Sequence, residues 1–139
     1  MIALAGWVPD TCHAMDRQED HPIIVIVDDD ELMRGALCGL LNEVGLPTRV
    51  FASAEEFLAS SQQADTACLI ADIRMAGMSG LDLQARLNAD HIRIPIILMT
   101  AHGDERMRMQ ALRSGAVEFL EKPFDDEMLL ASVRVALNR

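Results

Sequence analysis

Short apolar runs alternate along the chain with longer segments in which apolar residues recur at helical spacing. The alternation repeats five times from Pro22 onward, and it is typical of parallel strands joined by crossover helices. The predicted strands are Ile23 to Val27, Thr48 to Phe51, Ala67 to Ala71, Ile94 to Met99 and Val117 to Leu120. The sequence therefore predicts an α/β fold built on one parallel sheet.

The composition of these runs separates central strands from edge strands. The first, third and fourth runs are almost wholly apolar, as strands covered on both faces must be. The runs TRVF and VEFL mix charged and apolar residues, which suits the edges of a sheet. The flavodoxin-like strand order 2-1-3-4-5 places those two runs at the edges. We therefore predict a doubly wound, five-stranded parallel sheet of that order, flanked by five helices.

The helices are predicted from apolar stripes and from capping residues. An apolar stripe runs from Met33 to Val44, and Gly45 is a typical C-terminal stop. Ser53 and Glu56 predict a capping box at the second helix, and Asp125 predicts the cap of the last helix. The other two predicted helices are Gly80 to Asn88, where the apolar residues alternate and only the context favours a helix, and Asp104 to Ser114.

Residues 1–20 show no sustained period of either kind. We expect them to form a disordered N-terminal extension, followed by one domain over residues 21–139. Met15 is an alternative start of translation. A chain of 139 residues is long enough for one domain with its own core.

Charge and cysteine content bear on partners and location. Twelve basic and 22 acidic side chains leave a net charge of −10, which disfavours direct nucleic-acid binding. No apolar run approaches the roughly 20 residues that span a bilayer, and the start lacks the basic flank of a signal peptide. The three cysteines form no CxxC pair and are interpreted as free thiols. We therefore predict a cytoplasmic protein that contacts neither membrane nor nucleic acid.

Polar side chains follow four of the predicted strands, at the edge where an open parallel sheet binds ligands. Carboxylates can supply a nucleophile and Mg²⁺ ligands, while hydroxyl and ammonium groups donate to phosphoryl oxygens, so the set favours phosphoryl transfer. Each residue alone has a commoner structural role, such as a helix cap for Asp30, but four independent strand ends favour a site. The set is Asp28, Asp29 and Asp30 after strand one, Asp72 after strand three, Thr100 after strand four and Lys122 after strand five.

Four segments carrying these residues resemble response-regulator receiver domains of two-component systems, most closely the FixJ-type subgroup. They are IVIVDDDELMR, LIADIRMAGMSGLDL, IILMTAHGDERM and GAVEFLEKPF, and the resemblance covers Ile23 to Asn138. It implies a CheY-like fold and a phosphorylation-dependent switch. It also implies no enzyme activity beyond self-phosphorylation and self-dephosphorylation.

The resemblance further implies a role for each site residue. Asp72 would accept a phosphoryl group from a sensor histidine kinase or phosphotransfer protein. Mg²⁺ would bind Asp28, Asp29, Asp72 and the backbone carbonyl of Arg74. By the same resemblance Lys122 pairs with a phosphoryl oxygen and precedes a cis proline, and Thr100 and Phe119 form the switch. Helix four, strand five and helix five would then present a changed face to a downstream protein partner or a second copy of the chain.

Three features depart from the family pattern. Asp30 adds a third acid where relatives often have glutamate, and its expected effect is at most on metal affinity. Ala76 stands in the loop after Asp72 where receivers usually have proline, which should leave that loop less stiff. The chain also ends at Arg139 without a DNA-binding module, which FixJ-type proteins usually carry. A stand-alone receiver and the receiver half of a two-domain transcriptional regulator are therefore both open.

Two other classes of function compete with a receiver. A haloacid-dehalogenase-like phosphohydrolase also uses an aspartyl nucleophile, Mg²⁺, a threonine and a lysine. Such enzymes have a D-x-D pattern, whereas Ile73 and Arg74 follow Asp72, and the length leaves no room for a cap domain. An inert interaction domain is the third interpretation, and the presence of every required acid, hydroxyl and lysine argues against it.

Overall fold

In a computed structural model, which describes residues 22–138, five strands and five α-helices alternate along the chain. The strands are β1 (Ile23–Val27), β2 (Thr48–Phe51), β3 (Thr66–Asp72), β4 (Ile96–Thr100) and β5 (Glu118–Glu121). The helices are α1 (Glu31–Glu43), α2 (Ala54–Ala59), α3 (Gly80–Ala89), α4 (Glu105–Arg113) and α5 (Asp126–Leu137). None of these five helices is both long and apolar enough to cross a bilayer. The predicted extension, residues 1–20, lies outside the described residues.

The sheet has the predicted order β2-β1-β3-β4-β5, and all neighbouring strands are parallel. The mixed runs β2 and β5 form its edges, as predicted. Alternate residues of β1 point to opposite faces: Val25 packs in the core layer with Phe57 and Leu83, and Ile24 packs in the layer with Leu41 and Leu129. Helices α2, α3 and α4 therefore cover one face, and α1 and α5 cover the other.

The ends of three strands differ from the prediction: those of β3 and β4, and those of β5, which spans Glu118–Glu121 rather than Val117 to Leu120. β4 begins at Ile96 rather than Ile94 because Pro95 has no N–H to donate to a neighbouring strand. Pro95 bonds to β3 only through its carbonyl oxygen, which accepts from the Leu69 N–H. β3 extends to Asp72 and β4 to Thr100, so both residues are the last members of their strands.

The helix caps follow the prediction at three positions and differ at two. The Ser53 hydroxyl accepts from the Glu56 N–H, but the Glu56 carboxylate accepts from Ala52 instead of Ser53, so the predicted capping box is incomplete. A complete capping box, which was not predicted, joins Ser79 and Asp82 at the start of α3. Asp30 and Asp125 cap α1 and α5 as predicted.

The three cysteines were expected to be free thiols. Cys68 is free and buried in β3, in agreement with that expectation. Cys38 is disulfide-bonded, so the expectation is wrong for this residue, and Cys12 lies outside the described residues. The absence of a CxxC motif carries no information about pairing between cysteines that are far apart in sequence.

Candidate functional site

The carboxyl ends of β1, β3, β4 and β5 meet at one edge of the sheet, and each delivers a polar side chain there. Asp28 directly follows β1, Asp72 and Thr100 end β3 and β4, and Lys122 directly follows β5. Asp28, Asp72 and Thr100 are buried, and the Lys122 side chain is mostly buried. A rigid sheet with strands in register therefore fixes the backbone beneath all four groups.

Three carboxylates form the acidic part of the site. One oxygen from each of Asp28, Asp29 and Asp72 lies within 4.8 Å of the other two. The Asp28 and Asp72 side chains are buried, whereas Asp29 is exposed, so the group opens to solvent on the Asp29 side. Carboxylate oxygens so close together are the donor set that a hard divalent cation such as Mg²⁺ prefers.

Two donors hold Asp28, one at its carboxylate and one at its backbone carbonyl. The Asp30 N–H donates to Oδ1 of Asp28 at 2.9 Å, which turns the carboxylate toward the site. Arg34, one turn into α1, donates from Nη1 to the Asp28 carbonyl oxygen at 2.9 Å. Asp30 itself caps α1 and takes no part in the carboxylate group. The third acid of the DDD run is therefore structural, as predicted.

Lys122 joins two of the carboxylates. Its Nζ lies 3.4 Å from Oδ2 of Asp28 and 3.3 Å from Oδ2 of Asp72. The pKa of the Asp28 carboxyl is nevertheless raised above its ordinary value, chiefly because burial removes water and also because Asp72 repels its charge. The Asp30 N–H and Lys122 oppose this rise. The site thus holds excess negative charge that a bound cation would neutralise.

Arg74 and His102, which flank the site, are linked to each other. The Arg74 N–H donates to Oδ1 of Asp72 at 3.4 Å, and its guanidinium donates to the carbonyl oxygen of His102 at 3.4 Å. The His102 N–H in turn donates to the hydroxyl oxygen of Thr100 at 3.2 Å. The loops after β3 and β4 are therefore connected across the mouth of the site.

Phe119 has only 8% of its surface exposed, although it lies on the edge strand β5. Its ring and the methyl group of Thr100 both face Gly103, where an added Cβ would lie 2.7 Å from Cζ of Phe119 and 2.8 Å from Cγ2 of Thr100. The Lys122–Pro123 peptide bond is cis, as the resemblance implied. The predicted switch residues are thus neighbours in space.

Three residues that shape the site were not predicted from the sequence. Gly80 starts α3 against the end of β3, since a Cβ there would lie 2.6 Å from the backbone oxygen of Asp72. Gly103 leaves room for Phe119, and Arg34 holds the Asp28 carbonyl. The glycines stand in the quoted motif segments, but nothing in a single sequence shows what a Cβ would meet. Arg34 also stands in a quoted segment, as the last residue of IVIVDDDELMR, but the sequence does not show that it reaches the Asp28 carbonyl.

Comparison with known proteins identifies relatives of most of the described region. The family model for the response regulator receiver domain matches residues 24–134. Nodulation protein W of Bradyrhizobium diazoefficiens is 46% identical over 117 residues, which cover 84% of this chain and 52% of that protein. Transcriptional regulatory protein FixJ of Azorhizobium caulinodans is 42% identical over 114 residues, which cover 82% of this chain and 54% of that protein. The chain therefore spans about half the length of the curated relatives it matches.

Solved structures agree with this similarity. The crystal structure of FixJ-N superposes with a TM-score of 0.78 at 37% identity, covering 86% of this chain and 96% of that chain. The low-resolution structure of response regulator StyR superposes with a TM-score of 0.80 at 41% identity, covering 85% of this chain and 60% of that chain.

Proposed function

The chain belongs to the response regulator receiver family, whose domains are phosphorylation-dependent signalling switches, and on this premise we propose that Asp72 is its phosphoacceptor. The observation that carries the proposal is the position of Lys122, which lies within 3.4 Å of carboxylate oxygens of both Asp28 and Asp72. Asp72 ends the central strand β3 beside this group. One of its carboxylate oxygens would attack phosphorus, forming a mixed anhydride as the bond between phosphorus and the phosphodonor breaks and the donor group leaves.

Receiver domains bind Mg²⁺ at an acidic pocket, and three carboxylates of this chain form such a pocket. We propose that Asp28, Asp29 and Asp72 hold the ion together with the backbone carbonyl of Arg74. When bound, Mg²⁺ would neutralise charge on the phosphoryl group as it transfers. The proximity of three carboxylate oxygens, one from each aspartate and all within 4.8 Å of one another, supports this assignment.

Lys122 and Thr100 would bind the phosphoryl oxygens after transfer. The Lys122 ammonium group carries three N–H donors. After transfer, a phosphoryl oxygen would take the place of one or both of its present carboxylate partners. Thr100 is fully buried, and its hydroxyl accepts from His102 while keeping its own proton to donate. A phosphoryl group on Asp72, with about two negative charges, would draw both groups inward.

Movement of Thr100 would be transmitted to Phe119. The Thr100 methyl and the Phe119 ring face the same glycine, so a shift of one changes the space for the other. Phe119 also lines a groove of about 330 Å³ between α4, β5 and α5, with Met128 among its walls. We propose that this face binds a downstream protein partner or a second copy of the chain. The face would exist in two conformations already, and phosphorylation would shift the equilibrium between them.

The surroundings of this switch follow from the same family. We propose a sensor histidine kinase or phosphotransfer protein as the phosphodonor, a cytoplasmic location, and self-dephosphorylation as the remaining chemistry of Asp72. The curated relatives, about twice as long as the matched segment, include a protein named as a transcriptional regulator. This observation favours a second possibility, that the receiver acts as half of a two-domain transcriptional regulator.

Acetyl phosphate tests the phosphoacceptor directly. The protein incubated with acetyl phosphate and Mg²⁺ should gain one phosphoryl group by intact mass, and the group should be stable in acid and labile in base. Asp72→Asn should gain none, whereas the matched control Asp65→Asn, at an exposed aspartate before β3, should be labelled like the wild type. Undiminished labelling of Asp72→Asn would refute the assignment. Steady hydrolysis of a small phosphate ester would instead indicate a phosphohydrolase.

A further inference from the structure

The loop between β3 and α3, residues 73–79, is held by two carboxylates from other parts of the chain. The Met78 N–H donates to Oε2 of Glu55, in the first turn of α2, at 3.0 Å. The Ala76 N–H donates to Oδ2 of Asp29, which follows β1, at 3.2 Å. The second bond connects the loop after the proposed phosphoacceptor to one of the proposed metal ligands.

Apart from its bond with Ala76, Asp29 is the least constrained of the three carboxylates in burial and in contacts. Asp28 and Asp72 are buried and both contact Lys122, whereas Asp29 is exposed. Within residues 22–138, the hydrogen bond to its carboxylate comes from Ala76. An exposed carboxylate with a free χ1 and χ2 loses rotamer entropy when it binds an ion, and a donor that fixes it beforehand reduces that loss.

The residue type at position 76 decides whether this donor exists. Alanine has a backbone N–H, and proline, which receivers usually have here, has none. The Ala76 side chain is exposed, so the backbone N–H is the group through which this position acts on the site.

We propose that Ala76 is a positioning residue whose N–H holds Asp29 beside Asp28 and Asp72 for a divalent cation, an inference that rests on the proposed function. A carboxylate offers about four lone-pair positions on its two oxygens. With Oδ2 bonded to Ala76, Oδ1 remains for the ion, so one side chain bridges the ion and the loop. Cation binding therefore orders the β3–α3 loop, and ordering of the loop strengthens cation binding in the same proportion.

Titration with Mg²⁺, followed by the amide resonances of Asp28 and Asp29, measures the first half of this coupling. Ala76→Pro, which removes the N–H, should weaken Mg²⁺ binding about threefold to tenfold, the range of one lost hydrogen bond. The matched control Ala76→Ser keeps the N–H and should bind Mg²⁺ within about twofold of the wild type, because its exposed side chain is not the acting group. Equal Mg²⁺ affinity in Ala76→Pro and the wild type would overturn the proposal.

Hydrogen exchange in the wild-type protein measures the other half without any substitution. The Ala76 amide should exchange more slowly with Mg²⁺ than without it, while the exposed amide of Ala101, in the loop after β4, serves as the reference. An unchanged exchange rate at Ala76 in the presence of bound Mg²⁺ would also overturn the proposal, even if Ala76→Pro failed to fold. If the wild type bound no Mg²⁺ at all, the proposed function itself would fail, and the two failures are thereby distinguished.

Discussion

The ammonium nitrogen of Lys122 lies 3.3 Å from Oδ2 of Asp72, although β4 separates the strands that carry them. The lysine side chain therefore reaches across one strand to the proposed phosphoacceptor, and any charge added to Asp72 acts on it directly. A phosphoryl group on Asp72 would draw the Lys122 ammonium away from the two carboxylates and toward itself. Because Lys122 directly follows β5, the end of that strand would move as well.

This relationship predicts the behaviour of Lys122→Ala. The variant should still accept a phosphoryl group from acetyl phosphate with Mg²⁺, because the nucleophile and metal ligands remain. The amide resonances of Phe119 and of α4, which should shift on phosphorylation of the wild type, should stay at their unphosphorylated positions. The control Arg134→Ala, an exposed basic residue of α5, should respond like the wild type. A full response in Lys122→Ala would exclude the lysine from the switch.

The raised pKa of Asp28 predicts that its charge opposes folding. Burial and the repulsion from Asp72 outweigh the Asp30 N–H and Lys122, so the folded protein binds the Asp28 proton more tightly than the unfolded chain. The stability that this group contributes at low pH is lost as the pH rises from 3.8, the ordinary value, through the folded pKa. Above that window the Asp28 charge is a net cost to the fold.

Asp28→Asn removes this charge and keeps an oxygen for the Asp30 N–H. Without divalent cations at pH 7, its free energy of unfolding should exceed that of the wild type by about 1 kcal/mol, and the difference should shrink toward pH 4. With saturating Mg²⁺ the wild type should gain stability and the variant should gain little. Urea unfolding of both proteins at pH 7 and pH 4, with and without Mg²⁺, measures the stability difference at each pH and the stability that each protein gains from Mg²⁺. A wild type that is the more stable protein in the absence of Mg²⁺ would contradict the prediction.

The thiol of Cys68 predicts a loss of stability in alkali. Burial raises its pKa from 9.0 to about 12, so the unfolded chain releases this proton at a lower pH than the folded protein. The stability contributed by the protonated thiol is therefore complete below pH 9 and declines as the pH rises toward 12.

Cys68→Ala should lack this decline. Removal of the buried sulfur costs packing energy that does not depend on pH. Between pH 8 and 10, however, the variant should lose about 1 kcal/mol less stability than the wild type, because it lacks the ionisable thiol. Urea unfolding of both proteins at the two pH values gives the difference, and any contribution from other groups cancels. Identical losses in the two proteins would show that Cys68 ionises without opposition from the fold.

The central strands were predictable because a strand covered on both faces must be almost wholly apolar. Once the strands are known to be parallel, their carboxyl ends and the polar residues there must lie at the same edge of the sheet. Helix α3 shows where this reasoning weakens. Its buried face includes Leu83 and Leu87 at helical spacing, but also Gln84, whose amide donates to the Ala111 carbonyl of α4 at 3.0 Å. A polar residue satisfied by a distant carbonyl interrupts the apolar stripe, so the sequence alone shows a period of two.

Close approaches between distant segments were not predictable for a related reason. The hydrogen bond from Ala76 to Asp29 joins residues 47 positions apart. Gly80 lies against the backbone of Asp72 because the loop between β3 and α3 folds back. Sequence patterns report periodicity and the type of each residue, whereas these contacts depend on how the loops pack after the sheet has formed. The elements of the site were therefore predictable, and the groups that hold it in place were not.

Gly103 provides the last prediction, since the space beside it is filled by both proposed switch residues. In Gly103→Ala the new methyl group would lie under 3.0 Å from Phe119 and Thr100, so the Phe119 ring must move. We expect the free energy of unfolding to fall by about 1 to 3 kcal/mol, as for other overpacked cores, and the ring resonances of Phe119 to shift without phosphorylation.

Gly35→Ala is the matched control for this substitution. Gly35 lies in α1 with open space around its Cα, so alanine there should raise the free energy of unfolding by about 0.5 to 1 kcal/mol through its better helix propensity. Opposite signs for the two variants in chemical denaturation would tie the effect of Gly103 to the crowding at Phe119 rather than to glycine itself. A Gly103→Ala protein as stable as the wild type, with unshifted Phe119 resonances, would mean that the ring moves freely and that Thr100 cannot control its position by contact.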